Sequence, residues 1–218
     1  KQDSGRAALI AAILSERDPF RGEAARLDRD LRSRIEAITR KGDGAMRRII
    51  ETAKRLVAGP LVLPDHTTIT EQTGALLALA YPDRIAKRRG DRRGSYQLAN
   101  GRGAMLDATD PLAGHDWLAI AALDGDRAMA RIFLAAPLDP AAITTLFGDR
   151  IERESRVIWD SRAKAVSAVE QERLDALTLA ERIVKPAPEQ MQAALCAGIR
   201  ELGIEALPWT PELRRWRE

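Results

Sequence analysis

The clearest structural signal in the sequence lies in residues 95–134, which run SYQLANGRGAMLDATDPLAGHDWLAIAALDGDRAMARIFL. Glycines interrupt this stretch at short intervals, and the Asp124-Gly125 pair is typical of a hairpin turn. The segments between the glycines have the length and composition of short strands. We therefore predict strands at Ser95–Ala99, Ala104–Asp107, Trp117–Leu123 and Arg127–Leu134.

The strand pattern continues further along the chain after one helical interruption. The sequence predicts a helix over Asp139–Phe147, because Asp139 is a good N-cap and Pro140 suits the first helical position. Strand character then resumes at Arg153–Asp160, Ala165–Arg173 and Leu177–Ile183. Several short strands with one internal helix favour a five- or six-stranded barrel of the oligonucleotide/oligosaccharide-binding (OB) type, which we assign to residues 65–187.

Helices are expected on both sides of this barrel. Apolar residues recur at helical spacing in residues 1–64, for example Leu31, Ile35 and Ile38, which predicts a segment of a helical bundle. Residues 188–218 are expected to start a C-terminal helical region with a helix over Pro188–Leu202. The predicted fold class is thus α+β: a helical bundle segment, an OB-like barrel with an internal helix, and a C-terminal helix.

Composition excludes several classes of protein. The 218 residues are 45% hydrophobic and 31% charged, so the chain as a whole is not disordered. One cysteine and two histidines are too few for an internal disulfide or a zinc site, and we expect no bound metal. No apolar run reaches the ~20 residues of a membrane-spanning helix, so we expect a cytoplasmic protein with no membrane partner.

The sequence lacks the phosphate-loop, HExxH and GxSxG signatures, and we expect neither catalytic nor cofactor-binding residues in it. It opens within a helical pattern and without methionine, so we expect a fragment of a longer protein.

The charged residues point to one candidate binding segment. The formal charge of +3, from 35 basic and 32 acidic residues, is unevenly distributed. Between residues 84 and 102, in what the sequence suggests is a loop before the first strand, Asp91 alone opposes a basic cluster of Arg84, Lys87, Arg88, Arg89, Arg92, Arg93 and Arg102. Such a cluster attracts a polyanion, and the flanking Tyr81 or Tyr96 could stack on a base of a single strand. The same arginines could instead form a solvated loop or a clamp between domains, because guanidinium groups also pair with the protein's own carboxylates.

Three sequence motifs, which follow one another along the chain, resemble those of a known family: LAYPDRIAKRR at residues 79–89, YQLANGRGA at 96–104 and DPLAG at 110–114. Together with Trp117-Leu118, WDSR at 159–162 and the residues around 172–182, they closely resemble the C-terminal region of bacterial HrpB-type ATP-dependent RNA helicases of the DEAH class. The run LSERDP at 14–19 is similar to the helical-bundle segment that precedes this region in the family. One departure is Asp175, which stands where the family pattern has a glycine.

The resemblance implies that this chain is an accessory, non-motor part of a longer helicase. The family's ATP-binding and ATP-hydrolysing motifs lie in two RecA-like domains that would precede Lys1. ATP and magnesium are therefore expected for the parent protein, and no ATPase activity is expected for this chain alone. In the DEAH class, the helical bundle and the OB-like module close over the RecA-like domains and line a channel for single-stranded RNA. The expected partners are single-stranded RNA, with DNA as an alternative, and the RecA-like domains of the same parent chain.

Carried onto this sequence, the resemblance implies that the basic cluster, including Arg92 and Arg93, binds the RNA backbone and that Tyr96 or Asn100 contacts a base. The competing interpretation is an interdomain or protein-partner docking module without direct nucleic-acid contact, in which Asp83 and Arg84 could act as the interdomain clamp. Arginines that form one open groove would favour nucleic acid, whereas arginines beside a flat apolar patch would favour a protein partner.

Overall fold

The computed structural model describes residues 2–20, 22, 27–40, 44–57, 59–61, 69–125, 129–160, 163, 165–207 and 209–217. Contacts between residues group the chain into two compact units. The first unit comprises Lys1–Arg150 with Asp175–Leu177, and the second comprises Ile151–Leu174 with Thr178–Glu218. This division differs from the predicted divisions after residues 64 and 187, since the N-terminal helices and the barrel belong to the same unit.

Helices form the N-terminal part of the first unit: α1 (Gln2–Ser15), α2 (Leu31–Arg40), α3 (Gly44–Leu56) and α4 (Ile69–Ala80). In α2, Leu31, Ile35 and Ile38 are buried on one side, as their spacing predicts. Arg34 of the same helix is also buried, and its guanidinium lies 4.4 Å from the ring centroid of Phe20. The predicted helical segment is confirmed, and residues 62–68, which follow α3, lie outside the described residues.

A closed five-stranded barrel follows the helices in the first unit. Its strands are β1 (Ile85–Arg88), β2 (Ser95–Leu98), β3 (Gly103–Met105), β4 (Trp117–Leu123) and β5 (Met129–Pro137). They are hydrogen-bonded in the order β1-β2-β3-β5-β4, and β1 also pairs with β4 to close the barrel. The β3–β5 pair is parallel and the other pairs are antiparallel. The predicted OB-like barrel is therefore confirmed.

The strand β1 lies within the segment that the sequence suggests is a loop. Its first residues, Ile85 and Ala86, are fully buried, whereas Lys87 and Arg88 are only partly covered. Two charged residues in a four-residue strand conceal the usual alternation of apolar and polar side chains. The strand is specified by its neighbours, because Ala86 pairs with Leu98 of β2 on one side and with Leu118 of β4 on the other.

The strands after the internal helix do not join the barrel, which corrects the predicted extent of the barrel module. The helix α5 (Pro140–Phe147) begins as predicted, and the side chain of Asp139 accepts a hydrogen bond from the Ala141 amide at 2.8 Å. The later strands β6 (Glu152–Asp160), β7 (Ala165–Leu174) and β8 (Leu177–Val184) form a separate three-stranded sheet. A barrel that is already closed by the β1–β4 pair has no free edge to accept them.

The second unit is completed by two helices, α6 (Pro188–Leu202) and α7 (Pro211–Arg217). The helix α6 packs against β6, where Gly198 faces Trp159. A Cβ atom at Gly198 would lie 2.3 Å from the indole ring, so this close approach requires glycine. The predicted C-terminal helix over Pro188–Leu202 is confirmed.

The helix α4 also makes a close approach, in this case to the end of β5. A Cβ atom at Gly74 would lie 1.9 Å from the carbonyl oxygen of Pro137 and 3.1 Å from Cα of Leu138. Both obstacles are backbone atoms of the barrel and its exit, so the helix backbone rests directly on the barrel backbone. The helical segment and the barrel are joined here without intervening side chains.

The turn between β7 and β8 explains the departure at Asp175. This residue has a φ of +51°, a conformation that glycine adopts without strain and that aspartate tolerates better than most residues. Its carboxylate lies 2.9 Å from the Arg150 guanidinium. The glycine of the family pattern is thus replaced by a residue that can still form the turn.

Within the part of the chain that the structure describes, no helix is both long enough and apolar enough to span a bilayer.

Candidate nucleic-acid interface

The β1–β2 loop, residues 89–94, contains a large part of the basic cluster. Backbone hydrogen bonds define its shape, with the Arg89 amide donating to the Ser95 carbonyl at 2.8 Å and the Ser95 amide to the Arg92 carbonyl at 3.2 Å. Gly94 has a φ of +79°, and a Cβ atom there would lie 2.5 Å from the Leu106 carbonyl oxygen. The loop therefore has a fixed base, which is held by backbone atoms and by a glycine that no other residue can replace without strain.

Arg89, Arg92 and Arg93 project from this loop with exposed side chains. Among the described residues, none of the three forms an ion pair with a carboxylate. Their positive charges are therefore not neutralised by the described part of the protein. An exposed guanidinium group that forms no ion pair with a carboxylate has all its N–H donors available to bind an anion such as a phosphate.

Arg84 and Arg88, in contrast, are engaged within the barrel. Arg84 donates from Nη1 to the Ala121 carbonyl oxygen at 3.0 Å, and its guanidinium lies 4.7 Å from the ring centroid of Tyr81. Arg88 forms an ion pair from Nη2 with a carboxylate oxygen of Asp116. The predicted cluster therefore divides into exposed arginines of the loop and arginines that hold the barrel together.

The remaining basic residues of the cluster also have partners. Lys87 places Nζ 5.3 Å from the ring centroid of Trp117, within the range of a cation–π interaction. Arg102 is half-buried, and its backbone amide donates to Oδ1 of Asn100 at 3.0 Å. Asn100 is exposed in a turn, so its side chain serves that turn while one face remains accessible.

Tyr96 is a core residue, and the expectation that it contacts a base is wrong. Its side chain is 0% exposed, and its hydroxyl lies 3.0 Å from the Leu112 carbonyl oxygen and 2.9 Å from that of His115. A ring with no accessible face cannot stack on a base. Burial raises the pKa of the Tyr96 phenol to about 12.

This raised pKa predicts a stability loss in alkali. An acid with a higher pKa in the folded state contributes stability that is complete below its unfolded pKa of about 10 and is lost as the pH rises towards 12. The difference between the unfolded and folded pKa values of the phenol corresponds to about 3 kcal/mol of folding free energy. We therefore expect Tyr96→Phe to be less stable than wild type at pH 8, because the single O–H donor shared by the Leu112 and His115 carbonyls is lost, and we expect the difference in stability to shrink between pH 10 and 12. Urea unfolding of both proteins at each pH measures this difference in stability, and Tyr81→Phe is the control. If the stabilities of Tyr96→Phe and wild type changed in parallel with pH, the raised pKa of Tyr96 would be contradicted.

A buried ion pair that the sequence analysis did not identify joins the helical segment to the barrel. Arg29 and Asp110 are 5% and 3% exposed in their side chains, with Nη1 of the arginine 3.6 Å from Oδ2 of the aspartate. Asp110 also accepts from the Leu112 amide through Oδ1 at 2.9 Å, and burial raises the pKa of its carboxyl. The Arg29 carbonyl oxygen accepts from the Ala135 amide of β5 at 3.0 Å.

The Arg29–Asp110 pair is thus a buried link within the first unit, whereas the role of Asp83 and Arg84 as an interdomain clamp stays a prediction. Nε of Arg84 lies 3.9 Å from Oδ2 of Asp83, and the Asp83 side chain is 58% exposed. The run DPLAG at 110–114 drew attention to Asp110 as part of a family pattern, but nothing in the sequence connects it to Arg29. Among the described residues, no group of three or more histidine, cysteine, aspartate or glutamate side chains is arranged to hold a metal ion.

Comparisons with known proteins agree with this architecture. No family model matches the chain. The ATP-dependent RNA helicase HrpB of Escherichia coli K12 is 39% identical over 145 residues, which cover 65% of this chain and 18% of that protein. A crystal structure of the E. coli DExH-box NTPase HrpB matches 98% of this chain with a TM-score of 0.64 and 34% identity. A second, of the E. coli DEAH/RHA helicase HrpB, matches 96% with a TM-score of 0.61 and 30% identity.

In both crystal structures the match covers 25% of the helicase chain, so this chain spans a minor part of the relatives that it resembles. The match extends over nearly the whole of this chain, and therefore over both the helices and the barrel. Sequence and fold together show that the chain is homologous to HrpB and support its assignment as an accessory region of an HrpB-type DEAH helicase.

Proposed function

We propose that this chain binds single-stranded RNA through its β1–β2 loop, as the non-motor part of a longer HrpB-type helicase. The observation that carries the proposal is the exposure of Arg89, Arg92 and Arg93, with no carboxylate partner among the described residues. The loop between the first two strands is one of the regions with which OB folds bind oligonucleotides. The cluster therefore combines a suitable charge with a suitable position.

The proposed binding is independent of RNA sequence. Guanidinium groups on an exposed loop bind phosphates, which are the same at every nucleotide, and such contacts position a strand without identifying its bases. This mode suits a helicase that moves along many sequences. The name of the E. coli relative, an ATP-dependent RNA helicase, supports RNA as the nucleic acid, and DNA is the alternative that competition experiments would test.

The motor function would reside elsewhere in the parent protein. We propose that the RecA-like domains, with ATP and magnesium, lie in the portion of the helicase that this chain does not span, and that the chain packs on them. A bacterial helicase of this kind would act in the cytoplasm. The proposal expects no ATP hydrolysis by this chain alone.

The proposal predicts a change in the salt dependence of RNA binding. The triple variant Arg89→Ala, Arg92→Ala and Arg93→Ala should weaken binding of a fluorescent single-stranded oligoribonucleotide. It should also reduce the slope of log K against log salt by about 2, since each lost phosphate contact on a single strand contributes about 0.7. Fluorescence anisotropy between 50 and 200 mM salt is the measurement.

A matched control removes the same charge from other exposed sites. The variant Arg17→Ala, Arg48→Ala and Arg200→Ala lowers the net charge equally but leaves the loop intact. Its salt slope should stay within experimental error of wild type. The proposal fails if wild type does not bind at low salt, if the loop variant keeps the wild-type slope, or if both variants lose the same amount.

A docking function without nucleic-acid contact is the second candidate, and an apolar surface on the helices favours it. Leu79 of α4 is 52% exposed, and a cavity of about 280 Å³ between α1 and α4 is lined by apolar residues that include Ile10, Leu14 and Leu76. Such a surface suits a protein partner. If the chain binds no RNA but binds the separately expressed RecA-like portion of the same helicase, and Leu79→Glu abolishes that binding, docking becomes the preferred function.

A further inference from the structure

We propose that the outer face of β3 and β5, where Met105, Arg131 and Phe133 are exposed, stacks a base of the strand whose phosphates the β1–β2 loop binds. The inference rests on the proposed function and adds a specific site to it. We call these three residues the stacking patch. They were not singled out in the sequence analysis, because nothing in the sequence distinguishes an outward phenylalanine on a strand from an inward one.

The strand register brings the stacking patch together. Met105 of β3 pairs with Ser95 of β2 on one side and with Arg131 of β5 on the other. Side chains of paired residues lie on the same face of a sheet, about 5 Å apart. In β5, Arg131 and Phe133 are exposed and alternate with the buried Ala130 and Ile132. Phe133 is therefore on the same face as Arg131, two residues further along the strand.

The stacking patch lies at the end of the barrel that carries the β1–β2 loop. Ser95, the first residue of β2, accepts a hydrogen bond from the Arg89 amide. Leu106, which follows Met105, donates from its amide to the Gly94 carbonyl at 2.8 Å. Because β3 and β5 are parallel, Phe133 lies beyond Met105 in the direction of this same loop-bearing end. A strand bound by the loop arginines would thus reach the patch within a few nucleotides.

The apolar residues of the patch are far more exposed than the other aromatic residues of the barrel strands. Phe133 is 47% exposed and Met105 is 48% exposed, whereas the other aromatic residues of the described barrel strands, Tyr96 and Trp117, are 0% and 8% exposed. Arg131 is exposed, and among the described residues it forms no ion pair. The neighbouring acid Asp107 accepts hydrogen bonds from the amide and the hydroxyl of Thr109, which lower the pKa of its carboxyl, and the charges of Arg29 and Arg131 contribute less to the same lowering.

A nucleobase fits this combination better than a protein surface does. Every base has a flat π face that stacks on an aromatic ring, and a neighbouring guanidinium adds cation–π and phosphate contacts. A stable protein interface buries about 800 Å² on each partner, which two exposed apolar side chains do not provide. The adjacent arginines would also favour an anionic ligand over most protein surfaces.

The test compares two ligands that share a backbone. One is a fluorescent oligouridylate, and the other is an abasic ribose-phosphate oligomer of the same length. Phe133→Ala should weaken binding of the oligouridylate about 5- to 100-fold, the range expected for the loss of one stacked base. It should leave the affinity for the abasic oligomer and the salt slope unchanged. Phe133→Tyr, which keeps an aromatic face, should retain most of the affinity for oligouridylate.

The controls separate this inference from the proposed function. Leu56→Ala removes a comparably exposed apolar side chain from the end of α3 and should not alter either affinity. If wild type binds neither oligomer, the proposed function itself fails. If wild type binds both and Phe133→Ala leaves the oligouridylate affinity unchanged, or lowers both affinities equally, the stacking site is wrong while RNA binding by the loop stands.

Discussion

Gly74→Ala should destabilise the first unit by about 3 kcal/mol or more. In an ordinary helix this substitution is favourable by up to about 1 kcal/mol, because alanine is the better helix former. Here the new Cβ atom would lie 1.9 Å from the Pro137 carbonyl oxygen and 2.9 Å from its carbonyl carbon. These are backbone atoms at the end of β5, so relief requires the helix and the barrel to separate, and overpacking of this kind typically costs 1–3 kcal/mol and occasionally more.

Urea unfolding followed by circular dichroism measures the effect. Gly44→Ala is a suitable control, because Gly44 opens α3 and a Cβ atom there meets no atom within 4 Å. We expect the control to change stability by less than about 0.5 kcal/mol. A Gly74→Ala variant as stable as the control would show that α4 does not rest on the barrel as described.

Breaking the Arg29–Asp110 pair should have an effect of similar size. Removal of one partner from a buried ion pair leaves the other charge without compensation and costs about 3–5 kcal/mol. Neither Nη1 of Arg29 nor Oδ2 of Asp110 has a hydrogen-bond partner among the described residues, so each depends on the other across 3.6 Å. We therefore expect Arg29→Met to lose about 3–5 kcal/mol, and Asp110→Asn, which keeps the cap on the Leu112 amide, to lose a comparable amount.

A double-mutant cycle tests whether the two losses come from one interaction. The combined variant Arg29→Met and Asp110→Asn should lose clearly less than the sum of the single losses, since no unpaired charge remains. The exposed pair Arg40–Glu36, 2.9 Å apart, is the matched control and should contribute less than about 1 kcal/mol. Additive losses at Arg29 and Asp110 would contradict a direct pair.

The barrel was predictable because its strand ends carry local signals. The turn before β3 contains Gly101, which has a φ of +85°, and Asp124-Gly125 follows β4, as the sequence suggested. The burial of Tyr96 could have been predicted as well, since Tyr96 and Leu98 alternate with polar residues and therefore share the inward face of β2. The position of Tyr96 beside a basic cluster suggested a binding role, although the alternation of apolar and polar residues in β2 favoured burial of its side chain in the barrel core.

Other features could not be predicted because they depend on contacts between distant residues. The strand β1 is specified by pairing with β2 and β4, and its own residues do not alternate. The separation of Arg89, Arg92 and Arg93 from Arg84 and Arg88 depends on which side chains meet a carbonyl or a carboxylate in the folded protein. Charge in the sequence located the candidate site, but only the folded arrangement distinguished the exposed arginines from those engaged in the barrel.

The backbone closure of the β1–β2 loop has a consequence for evolution and for engineering. The hydrogen bonds that fix the loop join backbone amides and carbonyls, and they do not involve the arginine side chains; the residues that they join are Arg89, Arg92, Gly94, Ser95 and Leu106. Two glycines of the loop are constrained by conformation: Gly90 has a φ of +51°, and Gly94 has a φ of +79° and also faces the Leu106 carbonyl. Any selection on the side chains at 89, 92 and 93 therefore comes from what they bind and not from the fold of the loop, and they can be exchanged by design while the scaffold that presents them stays intact.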